Sequence, residues 1–163
     1  MNDSQPSYIE TAYKDDNNRL NWDQYFANIA VATSHRSPCK KLKVGCVIVS
    51  GPNIDGNSRI LTTGYNGFLP NLLHISMTRN GHEIATVHAE QNAISHAAKC
   101  GVSIKDSIAY VTHFPCINCY KILAASGIKC IYYIHDYKND DAVNALQKQE
   151  YAPKIYKIEE KIQ

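Results

Sequence analysis

No run of apolar residues in this chain approaches the roughly 20 needed to cross a bilayer. Its first residues, Met1-Asn2-Asp3-Ser4-Gln5-Pro6, lack the basic-then-apolar pattern of a secretion signal. An intracellular, soluble protein is therefore expected, with no membrane partner. A surplus of one charge is missing too: 17 basic against 15 acidic residues leave a net +2. That balance gives no electrostatic footprint for a long nucleic acid and favours small substrates. Nor is there an internal repeat, which excludes a solenoid. At 163 residues and 44% hydrophobic, the chain has the size and composition of one domain around a single core. Six cysteines without a secretion signal, two of them in C-x-x-C, read as free thiols or metal ligands and not as disulfides. Cys46, Cys100 and Cys130 stand in apolar stretches and are expected to be buried.

The chain reads as alternating helix and strand. Residues 1–20 are polar (Asp15-Asp16-Asn17-Asn18) and read as an arm before a domain at 21–163. Asn21 can cap a helix whose residues Trp22, Phe26, Ile29, Ala30 and Thr33 share a face. Val44 to Val49 suits a buried strand, and turn residues over 51–57 lead to a second strand near Arg59 to Gly64. A long connection, 65–87, follows, and such loops are usually functional or disordered. Beyond it lie a helix from His88 to Lys99 ended by Gly101, a strand from Ser107 to Thr112, and a helix from Cys116 to Ser126 ended by Gly127. Next come a strand from Lys129 to His135, a helix from Ala142 to Gln149 and a strand from Lys154 to Ile158. The alternation implies an α/β fold, a mixed or parallel sheet with helices on both faces.

Chemistry concentrates in His88-Ala89-Glu90 and Pro115-Cys116-Ile117-Asn118-Cys119. His88, Cys116 and Cys119 are three zinc ligands. A structural zinc is usually closed by four protein ligands, whereas a catalytic one keeps a position for water. Glu90 is then spare to move protons to and from that water. Cys116 and Cys119, three apart at a helix start, project on one face, and helix N-termini favour the thiolate. Pro115 enters that helix without an unpaired N–H. His82-Glu83 with His88 is no metalloprotease motif, because the histidines are six apart and H-E-x-x-H needs four.

H-x-E with P-C-x-x-C resembles the signature of zinc-dependent base deaminases. Together with Val44-Gly45-Cys46-Val47-Ile48-Val49, Gly64-Tyr65-Asn66-Gly67-Phe68, Tyr110-Val111-Thr112, Phe114-Pro115-Cys116 and Ser126-Gly127-Ile128-Lys129, it resembles the deoxycytidylate (dCMP) deaminases from about Trp22 onward. That resemblance implies a three-layer α/β/α sandwich on a five-stranded mixed sheet, cytidine-deaminase-like. It implies one catalytic Zn²⁺ and hydrolysis of dCMP to dUMP, with Glu90 as the proton shuttle. It also implies that the Ala89 N–H holds the base carbonyl, that Asn66 meets the sugar, and that Tyr137 lies near base and phosphate. Phosphate or effector contacts are expected among Arg36, Lys40, Lys41, Lys43 and Lys99. Lys99, eleven residues after His88, shares that helix face. In some members a second, structural zinc is held where Cys39 and His82 stand here, with His74 as a substitute ligand, although Ile75 and Thr78 occupy the other expected positions. Leu69-Pro70-Asn71-Leu72-Leu73-His74 departs from the commoner glycine- and aspartate-bearing continuation. dCTP and dTTP are the expected effectors, dCTP a further substrate, and a homo-oligomer, typically a hexamer, the expected assembly. tRNA adenosine deaminases share H-A-E and P-C-x-x-C but fit the near-neutral charge and Gly64 to Phe68 less well. An inactive deaminase-fold subunit would be expected to have lost Glu90 or a ligand.

Overall fold

A computed structural model describes residues 19–51 and 58–159. Almost all of the expected arm, and most of the turn at 51–57, lie outside them. The elements are α1 (Trp22–Ser34), β1 (Gly45–Val49), β2 (Ile60–Tyr65), β3 (Gly67–Phe68), β4 (Thr78–Arg79), β5 (His82–Glu83), β6 (Thr86–Val87), α2 (Ala89–Cys100), β7 (Ile108–His113), α3 (Ile117–Ala125), β8 (Cys130–His135), α4 (Asp141–Leu146) and β9 (Lys154–Lys157). Five strands form the main sheet in the order β2-β1-β7-β8-β9. β1 pairs antiparallel with β2 and β7, while β7, β8 and β9 run parallel. The sheet is therefore mixed, and β7 is where its direction changes.

Strand alternation assigns the two faces. Cys46 and Ile48 of β1, with Ala109 and Val111 of β7, pack beneath Ala89, Ala93 and Ala97 of α2, Tyr120 and Leu123 of α3 and Val143 of α4. Val47, Val49 and Tyr110 face the other way, against Phe26 and Ala30 of α1. Helices thus cover both faces, as the alternation in sequence implies. A capping box starts α1: Asn21 Oδ1 accepts the Gln24 N–H at 2.8 Å, and Gln24 Oε1 accepts the Asn21 N–H at 3.4 Å. The Tyr110 hydroxyl donates to Asp23 at 2.7 Å and ties α1 to the middle of the sheet. Register places Tyr110, Tyr132 and Tyr156 side by side on three parallel strands, with ring centroids 5.0 and 5.3 Å apart.

The connection over 65–87 is not structureless. β3 pairs with β6, and β4 with β5, so two small ribbons cross it. All six cysteines are free, but Cys100 corrects an expectation: as the last residue of α2 it is exposed, and Cys130 is only half-buried. An apolar neighbourhood in sequence does not put the end of a helix under cover.

α2 lies unusually close to β2. A Cβ on Gly64 would come within 2.4 Å of the Ala89 carbonyl oxygen and of the Ala93 N. Thr62 Oγ1 donates to the Ala93 carbonyl at 3.0 Å, and Asn92 Nδ2 to the Tyr65 carbonyl at 2.9 Å. Only glycine permits this approach, because the clashing atoms are backbone. Gly64→Ala is expected to lower stability by about 3 kcal/mol, from overpacking against a helix that cannot retreat without losing both bonds. Urea unfolding of the two proteins checks it.

Candidate active site

Two helix N-termini meet at the carboxyl end of β7. His88 is the N-cap of α2 and Cys116 the N-cap of α3, both with extended backbones. Gln91 Oε1 accepts the His88 N–H at 3.4 Å and steadies that turn. β7 ends at His113, and Phe114-Pro115 carries the chain into α3, with the Phe114 N–H on the His135 carbonyl at 2.9 Å. Cys119, one turn into α3, is buried.

This places His88 Nδ1 3.7 Å from Cys116 Sγ and 3.4 Å from Cys119 Sγ. All three donor atoms lie within 4.8 Å of one another, the one such group among the described residues. The set fits zinc. Tetrahedral bonds of about 2.3 Å to sulfur and about 2.0 Å to nitrogen separate N from S by about 3.5 Å. The hydrogen bond from Cys119 holds the Cys116 thiol down to about 4, and the same contact, with burial, pushes Cys119 up. One of the paired sulfurs is thus shifted towards the thiolate, the form that binds metal. Contact with Cys116 raises the pKa of His88.

Glu90 is only 4% exposed, and burial raises its pKa. A buried carboxyl shifted towards neutrality can hold a proton and release it, as a general acid and base must. Ala89 is fully buried at the first position of α2, where its N–H has no acceptor within the helix. Both border a cavity of about 280 Å³ that also reaches His88, Cys116, Asn66 and Tyr137.

The other expected residues divide. Asn66 borders the cavity, but its side chain is first a brace: Oδ1 accepts the Val44 N–H at 2.8 Å and Nδ2 donates to the Leu42 carbonyl at 2.9 Å. An amide has a second hydrogen and a second lone pair, so bracing leaves capacity for a ligand. Its backbone is not left-handed, unlike that of Asn71 and Asn80. Among the expected cations, Lys41 borders the cavity, whereas Arg36, Lys40, Lys43 and Lys99 are exposed and outside its lining. For Lys99 the reason is distance, since eleven residues of helix extend about 16 Å. Cys39 and His82 border the cavity too, but the His74 ring stacks on Phe68 at 4.9 Å, and the three do not gather as ligands.

Lys138 and His113 are among the bordering residues that were not expected. Lys138 projects beside Tyr137, its Nζ 5.8 Å from that ring, and His113 stands at the end of β7. Burial lowers the pKa of His113, whose ring lies 5.1 Å from that of His135 and 6.1 Å from that of Tyr137. The position of His113, just before Phe114-Pro115-Cys116, was the available signal; for Lys138 the sequence offered only its place after Tyr137.

A family model for the cytidine and deoxycytidylate deaminase zinc-binding region matches residues 20–135. ComE operon protein 2 of Bacillus subtilis is 36% identical over 135 residues, covering 80% of this chain and 68% of that one. The deoxycytidylate deaminase of Mycobacterium phage D29 is 32% identical, covering 71% and 95%. For the deoxycytidylate deaminase of Saccharomyces cerevisiae, at 33% identity, the match spans only 40% of its length. In structure, the dCMP deaminase of cyanophage S-TIM5 in complex with dCMP and dUMP superposes with a TM-score of 0.72 at 30% identity, over 86% of this chain and 100% of that one. Among the described residues no helix is long and apolar enough to cross a membrane.

His88→Ala or Cys119→Ser is expected to reduce bound zinc from stoichiometric to near zero, while Glu90→Gln retains it. Metal analysis after gel filtration distinguishes a ligand from a bystander.

Proposed function

The chain belongs to the cytidine and deoxycytidylate deaminase family, and from that premise we propose that it hydrolyses dCMP to dUMP and ammonia, supplying dUMP for thymidylate synthesis. The observation that carries this reading is a buried Glu90 two residues from a candidate zinc-ligand set with three members and not four. Zinc, when bound, supplies a Lewis acid that lowers the pKa of water towards neutrality. Glu90 takes a proton from the attacking water and delivers it to N3 of the cytosine ring. The new bond is C4–O and the broken one C4–N4; Glu90 then takes the second proton from the new C4 hydroxyl and gives it to the departing amine, leaving the C4 carbonyl and ammonia. The Ala89 N–H, at the positive end of α2, holds the base carbonyl. Asn66 addresses the sugar.

Tyr137 flanks the base and phosphate, and Lys41 and Lys138 supply cations for the phosphate. The support is their place on the wall of the cavity that also borders His88, Glu90 and Cys116. Lys41 Nζ at present donates to the Gly81 carbonyl at 2.8 Å, a bond that a phosphate oxygen would replace with a charge-assisted one. Regulation by dCTP and dTTP, and assembly as a homo-oligomer, follow from the same family reading.

Two outcomes test it. Glu90→Gln is expected to lower kcat for dCMP by at least about 10³-fold with zinc retained, and near-normal turnover would remove the shuttle. Lys138→Gln is expected to raise KM for dCMP roughly tenfold with kcat unchanged, since phosphate binding is shared by ground and transition states. Steady-state conversion of dCMP to dUMP, repeated with dCTP or dTTP added, measures both effects and the regulation.

A further inference from the structure

Residues 136–140 link β8 to α4 and present Tyr137, Lys138 and Asp140 to the cavity. At its β8 end, this loop is held by residues outside the cavity lining. Asp136 Oδ1 accepts the Tyr133 hydroxyl at 3.1 Å and Asn139 Nδ2 at 2.8 Å, and Oδ2 accepts Lys157 Nζ from β9. Asn139 Oδ1 accepts the Tyr137 N–H at 3.0 Å, so the anchor reaches the backbone of the very residue that faces the cavity. At the other end Asp140 caps α4, accepting the Ala142 N–H at 2.8 Å. Between the two carboxylates Lys138 is held at φ 42°. Such a backbone persists in a non-glycine residue only where its surroundings impose it.

An exposed ion pair contributes little to stability by itself. Asp136 and Lys157 are both about half exposed, so global stability is a poor explanation for four polar groups converging on one short loop. We propose that Asp136 is a positioning residue that, with Lys157 as its counter-charge, fixes Tyr137 and Lys138 in the arrangement that recognises the phosphate-bearing end of the substrate. The carboxylate keeps its charge across the physiological range, because Lys157 and Asn139 hold it down to about 2. β9, an edge strand two places from β7 in sheet order, thereby contributes to substrate affinity through a residue that touches no substrate.

This rests on the dCMP reading, and wild-type turnover separates the two: absence of dCMP conversion would overturn that reading and this inference with it. With conversion established, Asp136→Ala is expected to raise KM for dCMP roughly tenfold, with kcat within about twofold and the thermal midpoint little changed. Lys157→Met gives the same signature more weakly, and Lys157→Arg restores wild-type KM. The decisive variant pairs Asp136→Ala with Lys138→Gln. If Asp136 acts through Lys138, the double variant is no worse than the more impaired single variant, because residues acting as a unit are not additive. Multiplied effects on KM, a fall in kcat at unchanged KM, or a wild-type KM in Asp136→Ala would each overturn the proposal.

Discussion

Everything at the site depends on how closely α2 can approach β2. The metal-ligand set is divided between two helices: α2 begins at His88, and α3 carries both sulfurs. α3 follows β7 directly, so its position is fixed by strand pairing. α2 arrives from the long connection, guided only by the two-residue pairing of β6 with β3 outside the main sheet. Its depth is set instead by a glycine on β2, by Thr62 and by Asn92. With a side chain at Gly64 the helix would stand farther out, and His88 would move away from the sulfurs by a comparable amount. A tetrahedral site tolerates errors of only a few tenths of an ångström. The same approach carries Glu90 into the protein, where burial raises its pKa.

How far the sequence spoke follows from the range of each interaction. The ligand set was legible because a histidine at one helix start and a C-x-x-C at another are local patterns with one chemical use. A sheet with helices on both faces was legible from alternation, which left mixed and parallel open, while the five-stranded mixed sheet came from the family resemblance; the ends of β1, β7 and β8 fell within a residue of the expected bounds. Expectations built on charge alone fared less well. Arg36, Lys43 and Lys99 share a sign with Lys138, but distance along a helix or exposure on a loop keeps them off the cavity wall. Cation position here is decided by where a five-residue loop turns, and that turn is fixed by Lys157, 21 residues from Asp136. No local window contains that information. Asn66 was legible as a residue that matters but not as a brace, since its partners at Leu42 and Val44 lie more than twenty residues earlier.

β7 shows why the site is where it is. One edge pairs antiparallel with β1 and the other parallel with β8, so chain direction changes across this strand. Loops leave its carboxyl end without a neighbouring hairpin to fill the space, and open α/β sheets bind ligands at such points. His113, Phe114 and Cys116 all border the cavity from that end. Chemistry is thereby confined to one rim of the sheet.

His88 and Cys116 are 28 residues apart in sequence. An ion held by both acts on the chain as a cross-link, closing a loop that contains α2, β7 and the turn between them. Such a staple removes freedom from the unfolded chain, which leaves the folded one favoured by comparison. An ion held there would thus be part of the tertiary architecture as well as of the chemistry, and its loss would loosen the seam between the antiparallel and parallel halves of the sheet.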